Sequence, residues 1–345
     1  MVKTVKRFWI TLIGVCLFLS ILPGCSQQST NVAFFIYDGS DTFITEMMEE
    51  ITAHIPTDVS YVVRDGGNSQ AVQNQQIVEI IGKSYDLFVI NAVDRLACSS
   101  IVEKCRKEGI PVIFFNREPL ADAMNGSDAL YVGAAADSLG EKQAEIAAAL
   151  FSDDFSRSRY DKNADGVVQA VILKGEQGHQ DAEKRTDNCV SRLKELGFAV
   201  EVLAIESANW RRQEAYDAMA GLFARFGDRI ELVFANNDDM ALGAIDYLLS
   251  IGVYSRGADV EQLFPIISVD GTEVGLEAIE EGLLYGTVNN DSAKQGEAIL
   301  ALLDHILHEK NLDEFPYTIT NNHYVYIDGD VITKDNVVNF IRVGE

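Results

Sequence analysis

Leu87-Phe-Val-Ile-Asn91 opens a stretch that runs through Asp94 and a helically spaced segment at 99–107 to Gly109-Ile-Pro-Val112-Ile-Phe-Phe-Asn116-Arg-Glu118. Two wholly apolar runs, each ending on asparagine, flank an amphipathic segment. A strand wetted on one face alternates polar and apolar residues, so strands that do not alternate must be covered on both faces. Strand, helix and doubly covered strand in succession form the βαβ unit of a parallel sheet.

The same unit recurs outward in both directions. Strands are expected at 32–37, 60–64, 87–91, 112–116, 130–132, 169–174, 199–205, 232–235, 266–269 and 286–288. Helical spacing of apolar residues fills 42–53, 69–83, 99–107, 138–150, 182–196, 211–226, 239–249, 273–280 and 292–308. About ten βα units exceed what one open sheet usually holds, and 345 residues at about 150 per domain point to two domains. A long helix and a polar insert at 137–156 mark a crossing between them. The fold class is α/β, with two doubly wound parallel-sheet domains and no internal repeat at fixed period.

Ligands of such sheets sit outside the carboxyl ends of the strands. Those ends carry Tyr37, Asp41 and Phe43; Asn91 and Asp94; Asn116 to Glu118; Lys174 to Asp181; Asn236 to Asp239; Asp270; and Asn289 to Asp291. Seen singly, Phe43 and Trp210 read as core aromatics, His179 as a surface residue and Arg185 as a solvated helical charge. Their convergence at strand ends is the signal.

Fifty-three acidic against 28 basic residues give a net charge of −25, which repels phosphate backbones and excludes nucleic acid as a partner. Residues 1–24 read as a secretory signal: Lys3, Lys6 and Arg7 precede an apolar run ending at Pro23. That run is shorter than the roughly 20 residues a spanning helix needs. Leu22-Pro23-Gly24-Cys25 resembles a bacterial lipobox, with Cys25 as the acylated residue and residues 25–30 as a polar tether. Cys98, Cys105 and Cys189 then remain in the mature chain. Cys98 and Cys105 are about 10 Å apart along a helix, too far for a disulfide, and the three are expected as packed thiols.

Asp161, Asn163, Asp165 and Gln169 place oxygen side chains at positions 1, 3, 5 and 9 of a calcium-type loop, with Gly166 at the sharp turn and Val167 offering a carbonyl. The bidentate glutamate of an EF-hand is replaced by Ile172, so the remaining oxygens must come from elsewhere in the chain.

Phe-Phe-Asn116-Arg-Glu-Pro, Lys-Gly-Glu-Gln-Gly-His179-Gln-Asp181-Ala-Glu-Lys-Arg185-Thr and Ala-Asn-Asn237-Asp, with the calcium-type loop, resemble the bacterial D-galactose/D-glucose-binding proteins of ABC transporters, from about residue 31 to the end. The resemblance implies the type I periplasmic-binding-protein fold, its two domains joined by a three-segment hinge. It implies an N-terminal lobe of 31–137 plus 291–327 and a C-terminal lobe of 138–290 plus 328–345 carrying the calcium loop. It implies a monomer that binds one pyranose between Phe43 and Trp210, with Tyr37 and Asp41 beside Phe43. Asn91, His179, Asp181, Arg185, Asn237, Asp270 and Asn290 would form the polar ring. Glu231 would complete a structural Ca2+ site with Asp161, Asn163, Asp165, Val167 and Gln169. Gln177 and Gln180 replace prolines of the family pattern and are expected to loosen the His179 loop; Asp38 is a further departure.

The reading that follows is a lipid-anchored receptor outside the membrane, or periplasmic, delivering D-galactose or D-glucose to an ABC permease. A sensor docking on a chemoreceptor or kinase is the alternative. A glycosidase using Asp41 and Asp181 is the weaker rival, because carboxylates that bind hydroxyls need no raised pKa. A sugar-responsive repressor would need a basic helix-turn-helix where this chain has its signal. No Gly-x4-Gly-Lys-Ser/Thr occurs, so ATP hydrolysis belongs to a partner.

Overall fold

The computed structural model describes residues 30–257 and 262–341. The signal segment, Cys25 and all of the tether except Thr30 lie outside the described residues.

The first sheet contains β1 (Thr30–Ile36), β2 (Val59–Asp65), β3 (Leu87–Ile90), β4 (Val112–Phe115), β5 (Leu130–Ala134) and β11 (Tyr324–Ile327), in the order β11-β5-β4-β3-β1-β2. Its helices are α1 (Thr42–His54), α2 (Gln70–Ile80), α3 (Cys98–Lys107), the short α4 (Ala121–Met124) and α11 (Ser292–Leu307). The second sheet contains β6 (Val167–Lys174), β7 (Ala199–Ser207), β8 (Leu232–Ala235), β9 (Ile266–Asp270), β10 (Gly286–Asn289) and β12 (Val331–Thr333), in the order β12-β10-β9-β8-β6-β7. It carries α5 (Ala136–Ser152), α6 (Asp154–Tyr160), α7 (Gln180–Glu195), α8 (Arg212–Phe226), α9 (Asp238–Ser250) and α10 (Glu273–Glu280). Both sheets thus share one strand order, and every pairing is parallel except β10 with β12.

All ten expected strands form, with ends shifted by a residue or two. The chain adds β11 and β12, which sequence patterning missed because they are four and three residues long. Each sheet is covered on both faces. In the first lobe, Phe34, Val89 and Ile113 pack with Met47 and Leu302, while Phe35, Phe88 and Phe114 pack on the other face with Ile77 and Ile101. The second lobe repeats this, with Val171, Val233 and Met240 on one face and Ile172, Phe234 and Leu193 on the other. Burying each such side chain contributes about 1.5–3 kcal/mol, which explains the lack of alternation in the central strands. The edge strand β2 is mostly exposed. Cys98, Cys105 and Cys189 are buried free thiols, and burial pushes the first two up to about 12. Among the described residues no helix is long and apolar enough to cross a membrane.

The chain passes between lobes at three places: β5 to α5, β10 to α11 and β11 to β12. These crossings lie side by side. Ala135 N–H donates to Ile327 O at 2.8 Å, and Asn289 N–H to Asp330 O at 2.8 Å. Asp328 accepts from Ser138 Oγ at 2.8 Å and from Lys142 Nζ at 2.6 Å. Gly329 presses so closely on Asn289 O that a Cβ there would lie 1.8 Å from it.

Candidate functional site

In each sheet the strand order reverses between the first strand and the next one inward, and the cleft lies across the carboxyl ends at those points. The first lobe builds its wall from the β1–α1 turn. Asp41 caps α1, accepting from Ile44 N–H at 3.0 Å and from the Tyr37 hydroxyl at 2.5 Å. Phe43 follows and is buried. Arg117 stacks its guanidinium 3.8 Å from the centre of the Tyr37 ring and donates to Val93 O at 2.8 Å.

The second lobe supplies residues from several strand ends. His179 caps α7: its Nδ1 accepts from Asp181 N–H at 3.1 Å, which leaves Nε2 to carry the proton of the neutral ring. Burial, with Arg117, Arg185 and Arg95 nearby, holds its pKa well below the usual histidine value. One turn on, Arg185 donates to Asp181 at 3.1 Å and to Asn236 O at 2.8 Å, and lies 3.5 Å from Asp270. One guanidinium therefore serves two buried carboxylates. Burial raises the pKa of Asp41, Asp181 and Asp270, and Arg185 opposes that rise for the latter two. Asn290 donates to Asp270 at 3.2 Å and is itself gripped by Gln295. Behind this wall Asp238 accepts from Ser268, Thr287 and both the N–H and hydroxyl of Thr272, tying α9, β9, β10 and α10 together.

Trp210 follows Asn209, and both have positive φ, at 67° and 49°. This backbone conformation costs on the order of 1–3 kcal/mol per residue and turns the indole toward the cleft. The ring packs on Gly175, where a Cβ would sit 2.3 Å from it, and meets His179 edge-on at 5.0 Å. Asn237 steadies it by donating to Trp210 O at 3.3 Å.

The cleft between the two walls is small, polar and partly open to solvent. Tyr37, Asp41, Phe43, His179, Asp181, Arg185, Trp210, Asn237, Asp270 and Asn290 line it, and so do Asn116 and Arg117. Asn91 stands behind the wall. It is fully buried, accepts from Tyr37 N–H at 3.2 Å, and donates to Phe115 O and to Asn116 Oδ1 at 3.0 Å. Its polar groups are thus spent on holding the residue that does face the cleft. Asn116 and Arg117 were visible at the end of the next strand; the positive φ of Asn116, 58°, marks the turn that presents them. Several buried polar atoms of this cleft have no hydrogen-bond partner among the described residues: Asp181 Oδ1, Arg185 Nε and Arg117 Nε.

Both rims are bridged between lobes. Asp38 pairs with Arg211 at 2.8 Å, and Thr42 donates to Asp239 at 2.7 Å. On the other flank Arg117 pairs with Glu176 at 2.8 Å and Gln180 donates to Glu118 at 2.5 Å. Gln177 bonds Glu183 and accepts from Lys174. Both glutamines are hydrogen-bonded, Gln177 to Lys174 and Glu183 and Gln180 to Glu118 of the other lobe.

The calcium-type loop lies between α6 and β6. Asp161 accepts from the N–H groups of Asp165 and Gly166, and Asp165 from Val167 N–H and from the carboxamides of Asn163 and Gln169. Glu231, distant in sequence, joins it by accepting from Lys162 N–H at 2.8 Å and Gln169 N–H at 3.2 Å. Burial raises its pKa, and the charges of Asp161 and Asp165 raise it further. Gln169 Oε1 is buried with no hydrogen-bond partner among the described residues. Among the described residues no group of three His, Cys, Asp or Glu side chains converges by itself as a metal site. The side-chain donors Asp161, Asn163, Asp165, Gln169 and Glu231 are oxygen-bearing groups of the kind that hard cations take.

Residues 32–311 match the periplasmic binding protein domain. The chain is 33% identical over 311 residues to the D-galactose/methyl-galactoside binding periplasmic protein of Haemophilus influenzae, covering 89% of this chain and 90% of that one. It is 27% identical over 255 residues to the ribose import binding protein of Bacillus subtilis, 73% of each. An ABC transporter solute binding protein from Bacillus halodurans, solved with bound myo-inositol, superposes with a TM-score of 0.74 at 25% identity, over 91% of this chain and 97% of that one. The family consists of solute-binding proteins rather than enzymes. With two like-ordered sheets, three adjacent crossings and a polar cleft at their carboxyl ends, the chain belongs to the periplasmic binding protein family.

Proposed function

We propose that this protein captures a neutral monosaccharide, D-galactose or D-glucose, in the cleft and delivers it to an ABC permease outside the membrane. The observation that carries this is the unpartnered set of Asp181 Oδ1, Arg185 Nε and Arg117 Nε in a cleft whose two lobes contribute Phe43 and Trp210. A pyranose has apolar C–H faces and a rim of hydroxyls that both donate and accept, so aromatic faces and edge-on charged groups suit it. Asp41 has two oxygens and can meet either orientation of one hydroxyl, which accommodates both epimers. The galactoside-binding relative supports a hexose.

Isothermal calorimetry of residues 26–345, unfolded and refolded to strip bound sugar, tests this with D-glucose, D-galactose and D-ribose. One-to-one hexose binding, weakened about a hundredfold by Trp210→Ala, is the expected result. A folded protein that binds no hexose overturns it. Transport and sensing separate in cells: a sugar response that survives deletion of the permease indicates docking on a chemoreceptor or kinase. The lipid anchor at Cys25 is part of the same proposal, and mass spectrometry of the N-terminal peptide decides it.

The Asp161 loop is proposed to hold Ca2+, with Glu231 as the remote ligand and Gln169 Oε1 among the donors. Bound calcium would neutralise carboxylates that otherwise repel one another and would brace the start of β6. Millimolar Ca2+ should raise the thermal midpoint of the wild-type protein and leave that of Glu231→Gln little changed; equal shifts in both refute the site.

A further inference from the structure

Gln180 is the first residue of α7, between His179 and Asp181, and its side chain leaves the helix to reach the other lobe. Its Oε1 accepts from Arg95 Nη2 at 3.2 Å and its Nε2 donates to Glu118 Oε2 at 2.5 Å. The receiving pair is already assembled within the first lobe: Arg95 Nε donates to the backbone oxygen of Glu118 at 2.5 Å, and the Tyr326 hydroxyl donates to Glu118 Oε2 at 3.0 Å. Arg95 Nη1 adds a long contact of 3.5 Å to Gly178 O. Both polar atoms of one carboxamide are thus read at once by a cation and an anion across the cleft. A carboxamide offers a donor and an acceptor side by side without charge; a carboxylate lacks the donor, and proline or alanine lacks both.

We propose that Gln180 is a positioning residue that couples sugar capture to lobe closure. Its partners all belong to the opposite lobe, so its bonds exist only when the lobes are together, and their free energy stabilises the closed form alone. It is also chain neighbour to two cleft residues. Seating Gln180 on Arg95 and Glu118 fixes His179 and Asp181 in register with Asp41 and Phe43 on the facing wall. The retention of sugar is therefore set partly by a residue that does not line the cleft. This rests on the reading of the cleft as a sugar site.

Stopped-flow binding of D-galactose and D-glucose to the wild-type protein and to Gln180→Ala, Gln180→Glu and the reciprocal pair Gln180→Glu with Glu118→Gln tests it. Gln180→Ala should release sugar about tenfold faster, with association changed less than twofold. Gln180→Glu alone should be weaker still, because it faces Glu118. The reciprocal pair exchanges donor and acceptor and should recover most of the affinity. Unchanged release in Gln180→Ala, or a reciprocal pair no better than Gln180→Glu, overturns the proposal. A wild-type protein that binds neither hexose overturns the sugar reading instead. Solution scattering then decides the clasp: a larger radius of gyration in Gln180→Ala supports it, and an unchanged radius refutes it.

Discussion

The first lobe makes most of its wall from one local turn, Tyr37 to Phe43, with Asn116 and Arg117 added from β4, whereas the second gathers His179, Arg185, Trp210, Asn237, Asp270 and Asn290 from five strand ends. The strand order is the same in both. What differs is how charge is held. Asp41 rests on a hydroxyl and a helix N–H, while Asp181 and Asp270 lean on a single guanidinium. A wall made of one turn is fixed by local capping; a wall drawn from many strands depends on a shared centre. Arg185 is that centre.

The comparison breaks most sharply if that centre is removed. Arg185→Met leaves two buried carboxylates without their cation and should cost about 3–5 kcal/mol of stability along with sugar binding, measured by denaturant unfolding and calorimetry. A loss no larger than that of Asp41→Asn would show the walls to be equivalent. Asp41→Asn keeps an oxygen for Ile44 N–H and the fold, and should lower hexose affinity about tenfold with the unfolding midpoint nearly unchanged. The smallest effect is graded. Burial lifts the carboxyl groups of Asp181 and Asp270, so as pH falls they take up protons before an ordinary aspartate would and cease to be full acceptors. His179, with its pKa lowered, stays neutral through the same range until more acid pH. Affinity should therefore decline as pH falls, beginning above the ordinary aspartate value of about 3.9. Titrations across that range should show the decline persisting in Asp41→Asn; its disappearance there would move the acid sensitivity to the first lobe.

The sequence made the layered fold legible because doubly covered strands such as Val-Ile-Phe-Phe carry their burial in their composition. It was silent on β11 and β12, whose identity comes from pairing with β5 and β10 rather than from pattern. Asn91 and Asn116 are equivalent letters at strand ends. Only the packing separates them: Asn91 spends its carboxamide on Tyr37 N–H and Phe115 O, while Asn116 turns out at positive φ. The contacts of Asp38 and Gln180 were illegible for another reason. Each joins residues far apart in the chain, and their meeting depends on how the lobes close, which no local spacing encodes.

The triple crossing has a consequence for synthesis. Helix α11 covers the first sheet on the side of α1, with Ala298, Ile299, Leu302 and Leu303 in that core, and β11 is the sheet's last strand. A growing polypeptide therefore leaves the first lobe with this face covered only by α1 until residue 303 has been made, and the second lobe lacks β12 for longer still. Neither half can reach its final packing early in translation. A chain built this way completes both sheets only once residues 324–333 have been made.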